Sequence, residues 1–465
     1  MLTYNFENIT GSLYEYIYKC IKNDIVSGNI SPGEKLPSKR TFARNNGIST
    51  ITIQNAYDQL VSEGYIYAIE KKGYYVSEIK EIPTIKKESS IKYDIKIPQK
   101  KSYKYDLSEN HMNPDNFPFS IWAKITREVL SNKKDKLMVK SPSPGIFELR
   151  NAIAEYLKSF RGMVVDPNQI IIGAGTEYLY GVLVQLVGKD KIYAIENPGY
   201  KKLIKIYAQQ GITPVYADID EYGLSVDGLN ESGANIAHIS PNHHFPTGII
   251  MPASRRYEIL SWANKSNERY IIEDDYDSEF RHNKKPLPTL FSMDSGEKVI
   301  YMNTFSKSLT QTIRLSYMVL PVCLANRYYQ ELSFLSCTVS NFEQYALAEF
   351  IEQGYFEKHI NRMRLYYMRR RNSVLSIISK SSLGERCRVI DNESGLHFIL
   401  ELDTQLKDGE LTEKLSEKDV KLVALSEYYL THKNIKEHHF ILNYSNLDPE
   451  LLPEACEIIN SCISQ

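Results

Sequence analysis

No apolar run in this chain of 465 residues reaches the roughly 18 residues that a membrane-spanning helix needs, which excludes a helical membrane protein. Charge of one sign is missing as well. The formal net charge is −1, so no overall field draws the molecule to nucleic acid, and any contact with DNA must come from a local patch. Cysteine is scarce and scattered. Cys20, Cys323, Cys337, Cys387, Cys456 and Cys462 form no C-x-x-C pair and no ligand-like cluster with histidine. That argues against a metal site and for reduced thiols in a cytoplasmic protein. The first residues, with Asn5, Glu7 and Asn8, lack the charged start and apolar core of a secretory signal. Internal repeats are absent too. What remains is an ordinary globular composition, 42% hydrophobic and 24% charged, in a length that suits two or three domains.

Residues 1–78 read as one compact unit. SLYEYIYKCIKNDIVSGNI places Leu13, Ile17, Ile21 and Ile25 on one helical stripe stopped by Gly28. PSKRTFARNNG reads as a short helix ended by Gly47, and STITIQNAYDQLVSEG as a third with Ser49 as N-cap. YIYAIEKKGYYVSEI closes the unit as a hairpin turning at Lys71, Lys72 and Gly73. Three helices and a two-stranded wing make a winged helix-turn-helix. Residues 79–104 change character: eight lysines (Lys80, Lys86, Lys87, Lys92, Lys96, Lys100, Lys101, Lys104) face only Glu81, Glu88 and Asp94. This reads as a solvated linker, or a tether that also touches DNA phosphates. From 105 to 465, strand-like runs (QIIIGAG, KIYAIE, ANIAHIS, RYIIEDD, KVIYMN, LSYMVL) alternate with helices, predicting an α/β domain with a mainly parallel sheet. A long charged helix then leads to a smaller α+β portion.

In a helix-turn-helix the start of the second helix enters the major groove. Ser49, Thr50, Thr52 and Gln54 are the side chains placed to reach bases, while Ile51, Ile53 and Leu60 are expected to face inward. Lys39, Arg40 and Arg44 before that helix, with Lys71 and Lys72 on the wing, are candidates for phosphate contacts. The pieces G-x-[IL]-x-P-G-x-x-L-P-S-x-R, A-Y-x-x-L-x-x-E-G-[YF]-I and K-G-x-[YF]-V resemble the DNA-binding domain of the GntR family of bacterial repressors. Thr50 stands where that family usually has arginine. The resemblance implies a double-stranded operator and a dimer to bind it tightly.

The stretch NTFSKSLTQTIRLSYMVLP, 303–321, sets Lys307 among small hydroxyls after an apolar run. A partly dry amine has a lowered pKa and can attack a carbonyl to form an imine, although taken alone Lys307 also fits an ordinary loop beside a strand. Asp274 and Tyr276, two apart in RYIIEDDYDSEF, point the same way on an extended backbone. There the acid could hold a pyridinium N–H and the phenol a ring oxygen, or the acids could simply cap the next element. GAGTEYLYGVLVQLVG aims the free N–H groups of a helix start at a phosphate. Arg314 could close on the same group with Ser306 and Thr304 beside it. ENPGY supplies Tyr200 for stacking, and SPNHHFPTG supplies Asn242, His243 and His244 with no carboxylate or cysteine to complete a metal site.

In this order and at these intervals, S-K-x-x-x-x-x-x-R, E-D-D-Y-D-S-E-F, P-x-H-x-F-P-T-G and P-G-Y resemble the fold-type I aminotransferase domain. Joined to a GntR-type head, they resemble the MocR subfamily of transcription regulators. The resemblance implies pyridoxal 5′-phosphate bound as a Schiff base on Lys307. Asp274 would pair with the ring nitrogen, Tyr276 with the ring hydroxyl, Gly175, Thr176, Glu177 and Arg314 with phosphate, and Tyr200 with the ring face. It also implies a homodimer in a bacterial cytoplasm. Two departures bear on the effector. Ile441 stands where the family's GABA-responsive member grips a carboxylate with arginine, and Lys202 replaces a second arginine. SPSPG, 141–145, also lacks the tyrosine that usually reaches the neighbouring subunit's site. The expectation is therefore a sensor of pyridoxal phosphate itself, controlling vitamin B6 supply. Response to an amino acid or amine that reacts with the cofactor, or a working aminotransferase, are the alternatives.

Overall fold

The computed structural model describes residues 4, 11–79, 95–98, 101–108, 110, 112–281, 287–390, 394–431 and 434–463. They fall into two compact units, residues 1–100 and 101–465. Most of the stretch assigned above to a linker lies outside the described residues. Its last residues belong to the second unit, where Lys101 Nζ donates to the Ser416 carbonyl at 2.7 Å and Lys104 meets Glu454 at 3.2 Å.

In the first unit three helices, α1 (Leu13–Val26), α2 (Lys39–Asn46) and α3 (Thr50–Ser62), precede a hairpin of β1 (Ile66–Ile69) and β2 (Gly73–Val76). Ser38 caps α2 by accepting from Thr41 N, and Gly47 ends it at φ +66°, a left-handed conformation that glycine adopts without steric cost. Ser49 then caps α3 by accepting from Ile51 N at 3.2 Å. Ile17, Ile21, Phe42, Ile53, Tyr57, Leu60, Ile66 and Val76 form one core. One expectation fails. Ile51 faces solvent, 71% exposed, because α3 begins at Thr50 and its first turn stands clear of the core that Ile53 enters.

The second unit is built on an eight-stranded sheet. Its strands are β3 (Ile170–Gly173), β4 (Tyr193–Asn197), β5 (Val215–Asp220), β6 (Gly223–Leu224), β7 (Ile236–Ile239), β8 (Tyr270–Asp274), β9 (Val299–Thr304) and β10 (Ser316–Val319). The order is β3-β10-β9-β8-β7-β4-β5-β6, with β9, β8, β7, β4 and β5 parallel and β10 antiparallel to both neighbours. Both faces are covered, and alternate residues take opposite sides. Ile170, Ile172, Tyr301 and Tyr317 pack with the helix Phe147–Arg161, while Ile171, Ile300, Met302 and Met318 pack with the helix Thr176–Val187. The long helix Tyr355–Lys380 leads to a smaller antiparallel sheet of β11 (Cys387–Ile390), β12 (His397–Leu402), β13 (Val423–Ala424) and β14 (His439–Asn443). A two-residue strand, Tyr105–Asp106, lies parallel to Val420–Lys421 beside it. All six cysteines are free, and among the described residues no helix is long and apolar enough to cross a membrane.

Candidate functional site

The parallel strands of the large sheet end on one edge, where chain segments leaving them can converge, as is general for α/β sheets. Gly175 follows β3, Tyr200 follows β4, Ser240 follows β7, Asp274 ends β8 and Lys307 follows β9. With Thr176, Glu177, Tyr180, His238, Tyr276, Thr304, Ser306 and Arg314 they line a cavity of about 350 Å³.

Lys307 sits in a single helical turn, Phe305–Ser308, capped by Thr304, whose hydroxyl accepts from Ser306 N at 3.1 Å. Burial pushes its ammonium down to about 8, against a smaller opposing pull from the Asp277 carboxylate. At neutral pH about a tenth of such an amine is unprotonated, compared with well under a thousandth for an ordinary lysine. Asp274 is held from one side. Its Oδ2 accepts from the Tyr180 hydroxyl at 2.6 Å and lies 3.7 Å from His238 Nε2, while Oδ1 is buried with no hydrogen-bond partner. Tyr276 reaches His243 Nδ1 at 3.2 Å, and the same nitrogen lies 2.8 Å from Asp277. Glu196, also in the lining, is raised to about 8 by burial, so it is neutral at pH 7 and able to donate.

The helix Thr176–Val187 presents its N-terminus to the cavity. Gly175 caps it at φ +92°, and a Cβ there would come within 2.5 Å of Arg314 Nη2. Arg314 itself is left-handed at φ 49°, a conformation that costs a non-glycine residue about 1 kcal/mol or more and is found at functional positions. Glu177 interrupts this positive end. Its carboxylate accepts from Lys202, which with Arg314 holds it below the usual carboxylate range.

The first unit's candidate nucleic-acid surface is different in kind. Ser49, Thr50, Gln54, Arg40, Arg44, Lys71 and Lys72 are exposed, and Thr52 is half-buried. Lys39 is also half-buried, its ammonium 5.2 Å from the Tyr74 ring centre.

Residues 103–459 match the family described as aminotransferase class I and II, and residues 13–76 match the bacterial regulatory proteins of the gntR family. The HTH-type transcriptional regulator YdeL of Bacillus subtilis is 36% identical, covering 91% of this chain and 91% of that protein. The probable rhizopine catabolism regulatory protein MocR of Rhizobium meliloti is 26% identical over 97% of this chain and 93% of its own length. The chain belongs to the MocR subfamily of GntR regulators. The pyridoxine biosynthesis transcriptional regulator PdxR of Corynebacterium glutamicum is 29% identical over 88% of this chain and 87% of its own. Among solved structures, the kynurenine aminotransferase of Pyrococcus horikoshii shares the fold of the second unit with a TM-score of 0.67 and 22% identity. It covers 77% of this chain and 90% of that one. This MocR-type chain is thus a transcription regulator with a DNA-binding head and an aminotransferase-like domain.

Within this MocR-type body one candidate residue lies elsewhere than expected. Asn242 is absent from the cavity lining: its amide donates to Asp275 Oδ1 at 2.7 Å. There Asp275 also takes Arg161 and the Tyr301 hydroxyl, a buried acid that draws in every nearby donor. Among the lining residues not singled out from the sequence are Tyr180, His238 and Glu196. Tyr180 follows Thr176 by four on the same helix, so it shares the face of the phosphate-side turn. His238 is the lone polar side chain in an apolar strand, and that was its available signal. Ile441, on β14, is buried between Ile399 and Val423 on the neighbouring strands and presents no charge.

Proposed function

We propose that this regulator binds pyridoxal 5′-phosphate in the cavity of its second unit and that occupancy changes its grip on an operator, in control of vitamin B6 supply. One observation carries the reading. A buried, unpartnered carboxylate oxygen, Asp274 Oδ1, shares a cavity with a lysine whose amine is depressed to about 8. An isolated buried acceptor is costly, and a protonated ring nitrogen supplies the donor it lacks. When bound, the cofactor supplies an aldehyde that condenses with primary amines. Lys307 would hold that aldehyde carbon, Asp274 the ring N–H, and Tyr276 the ring oxygen. Tyr200 would flank the ring, while Gly175, Thr176, Ser306 and Arg314 would take the phosphate. The name of the relative PdxR supports vitamin B6 as the regulated commodity.

The apolar Ile441 and the Lys202–Glu177 pair argue against sustained transamination, because an amino-acid carboxylate needs a free cation to orient it for proton transfer. Dimerisation belongs to the same proposal. Met138, Val139, Phe147 and Phe342 are all exposed, and Asn341 Nδ2 bonds the Val139 carbonyl while Lys136 pairs with Glu148. These contacts gather the apolar side chains into a patch suited to a second copy of the chain in the cytoplasm.

The test is an absorbance scan of the protein with pyridoxal phosphate, repeated with Lys307→Ala, alongside a gel-shift titration at fixed salt. The reading expects an imine band that Lys307→Ala lacks and an operator affinity that moves with the cofactor. Equal operator affinity with and without cofactor would overturn the switch, and absence of the band would overturn the site.

A further inference from the structure

The reading helix carries an apolar side chain that the fold leaves mostly in solvent. Ile51 is 71% exposed in the first turn of α3, more than any other large apolar side chain of residues 11–79. The next, Val26 at 55%, belongs to α1. A single exposed aliphatic is common and means little by itself. Its placement is what matters. Ile51 is flanked by exposed Ser49 and Thr50, with exposed Gln54 one turn on along the same face. The Ser49 cap, bonded to Ile51's own amide, fixes the orientation of that turn. Exposed cations stand on both sides in the chain, Arg40 and Arg44 on α2 and Lys71 and Lys72 at the wing tip. When those cations rest on phosphates, the first turn of α3 is the part left to meet base edges.

The base edges of the major groove offer hydrogen-bonding groups at every pair and one apolar group, the C5-methyl of thymine. Isoleucine can neither donate nor accept, so it gains nothing from guanine, cytosine or adenine. We propose that Ile51 packs on a thymine methyl, making one A·T pair in each half-site a position the regulator requires. The adjacent Gln54 has the amide geometry to read an adenine beside it. Ile51 is therefore a specificity-determining residue, and the loss of the arginine usual at position 50 is accompanied by a methyl reader at position 51.

The experiment starts from duplexes selected out of a random-sequence pool by the full-length protein. In the tightest of them each thymine is replaced in turn by deoxyuridine, which removes the methyl and keeps every hydrogen-bonding group. Affinities of the unaltered protein, Ile51→Val and Ile51→Ala are then measured at one salt concentration. For the unaltered protein, deoxyuridine at one thymine per half-site should cost about fourfold, the transfer value of one buried carbon. Ile51→Ala, which removes the side chain from both half-sites, should bind the unmodified duplex more weakly by the square of that factor, roughly 16-fold, and be indifferent to that replacement, while Ile51→Val keeps most of the sensitivity. Placing 5-methylcytosine at the same position should recover part of what cytosine loses. The proposal is overturned if no thymine shows this sensitivity, or if the replacement weakens Ile51→Ala as much as the unaltered protein. Thermal melting of Ile51→Ala should stay close to that of the unaltered protein, since most of the side chain stands in water.

Discussion

The two halves of this regulator place their working side chains in opposite ways. In the winged helix the candidate contacts stand mostly in water, on a helix start and a hairpin tip. In the aminotransferase-like body they converge from five strand ends into one cavity, where burial lowers Lys307 to about 8 and raises Glu196 to about 8. Under the proposed function the difference follows from the two partners. A DNA backbone is a polyanion met at the surface, and a cation serves it best when fully hydrated until contact. An aldehyde is captured by an uncharged amine, which requires a dry setting.

That contrast can be broken at its strongest point first. Lys307→Ala should abolish the adduct trapped by borohydride and detected by mass, while leaving the salt dependence of non-specific DNA binding unchanged. Asp274→Ala should weaken cofactor binding about 10- to 100-fold, since it removes the ring's acceptor and also strands the buried Tyr180 hydroxyl. Equilibrium titration by absorbance checks this. In stopped-flow measurements, capture of the aldehyde should speed up about tenfold per pH unit below 8 and level off above it, because only the neutral amine attacks. A rise that continues without a break toward about pH 10 would mean that burial does not govern Lys307. On the DNA side, Arg44→Ala should cost several-fold in affinity on every sequence alike and reduce the slope of log affinity against log salt by about 1 for each copy of the chain bound, about 2 for a dimer. Smallest of all, Glu177→Gln should tighten cofactor binding about threefold, because it withdraws a half-exposed negative charge from beside Arg314.

Legibility in the sequence divides along the same line. The helices of the head can be read because their apolar stripe, serine caps and terminal glycines are all local. Ile51 was misjudged because an apolar residue near Ile53 suggested the core, whereas a helix starting at Thr50 turns it outward. In the body, Lys307, Asp274, Tyr276, Arg314 and the turn at Gly175 lie in recognisable blocks, and all line the cavity. Tyr180 and His238 carry no such mark. They meet Asp274 only because parallel pairing brings β7 against β8 and sets the helix after β3 over them. The strand at 215–220 escaped notice for a related reason: its YADID pattern alternates exposed and covered positions, and looks like a polar loop.

The short strand at Tyr105–Asp106 has a mechanical meaning. It is sewn to the small sheet's side of the body by Lys421, which reaches Asp106 at 2.8 Å, and by the Asn443 amide, which donates to the Leu107 carbonyl at 2.8 Å. Chain arriving from the head is thus moored to the same subdomain that carries Ile441. Any tug transmitted along the backbone at Lys101 is felt there first, ahead of the eight-stranded platform.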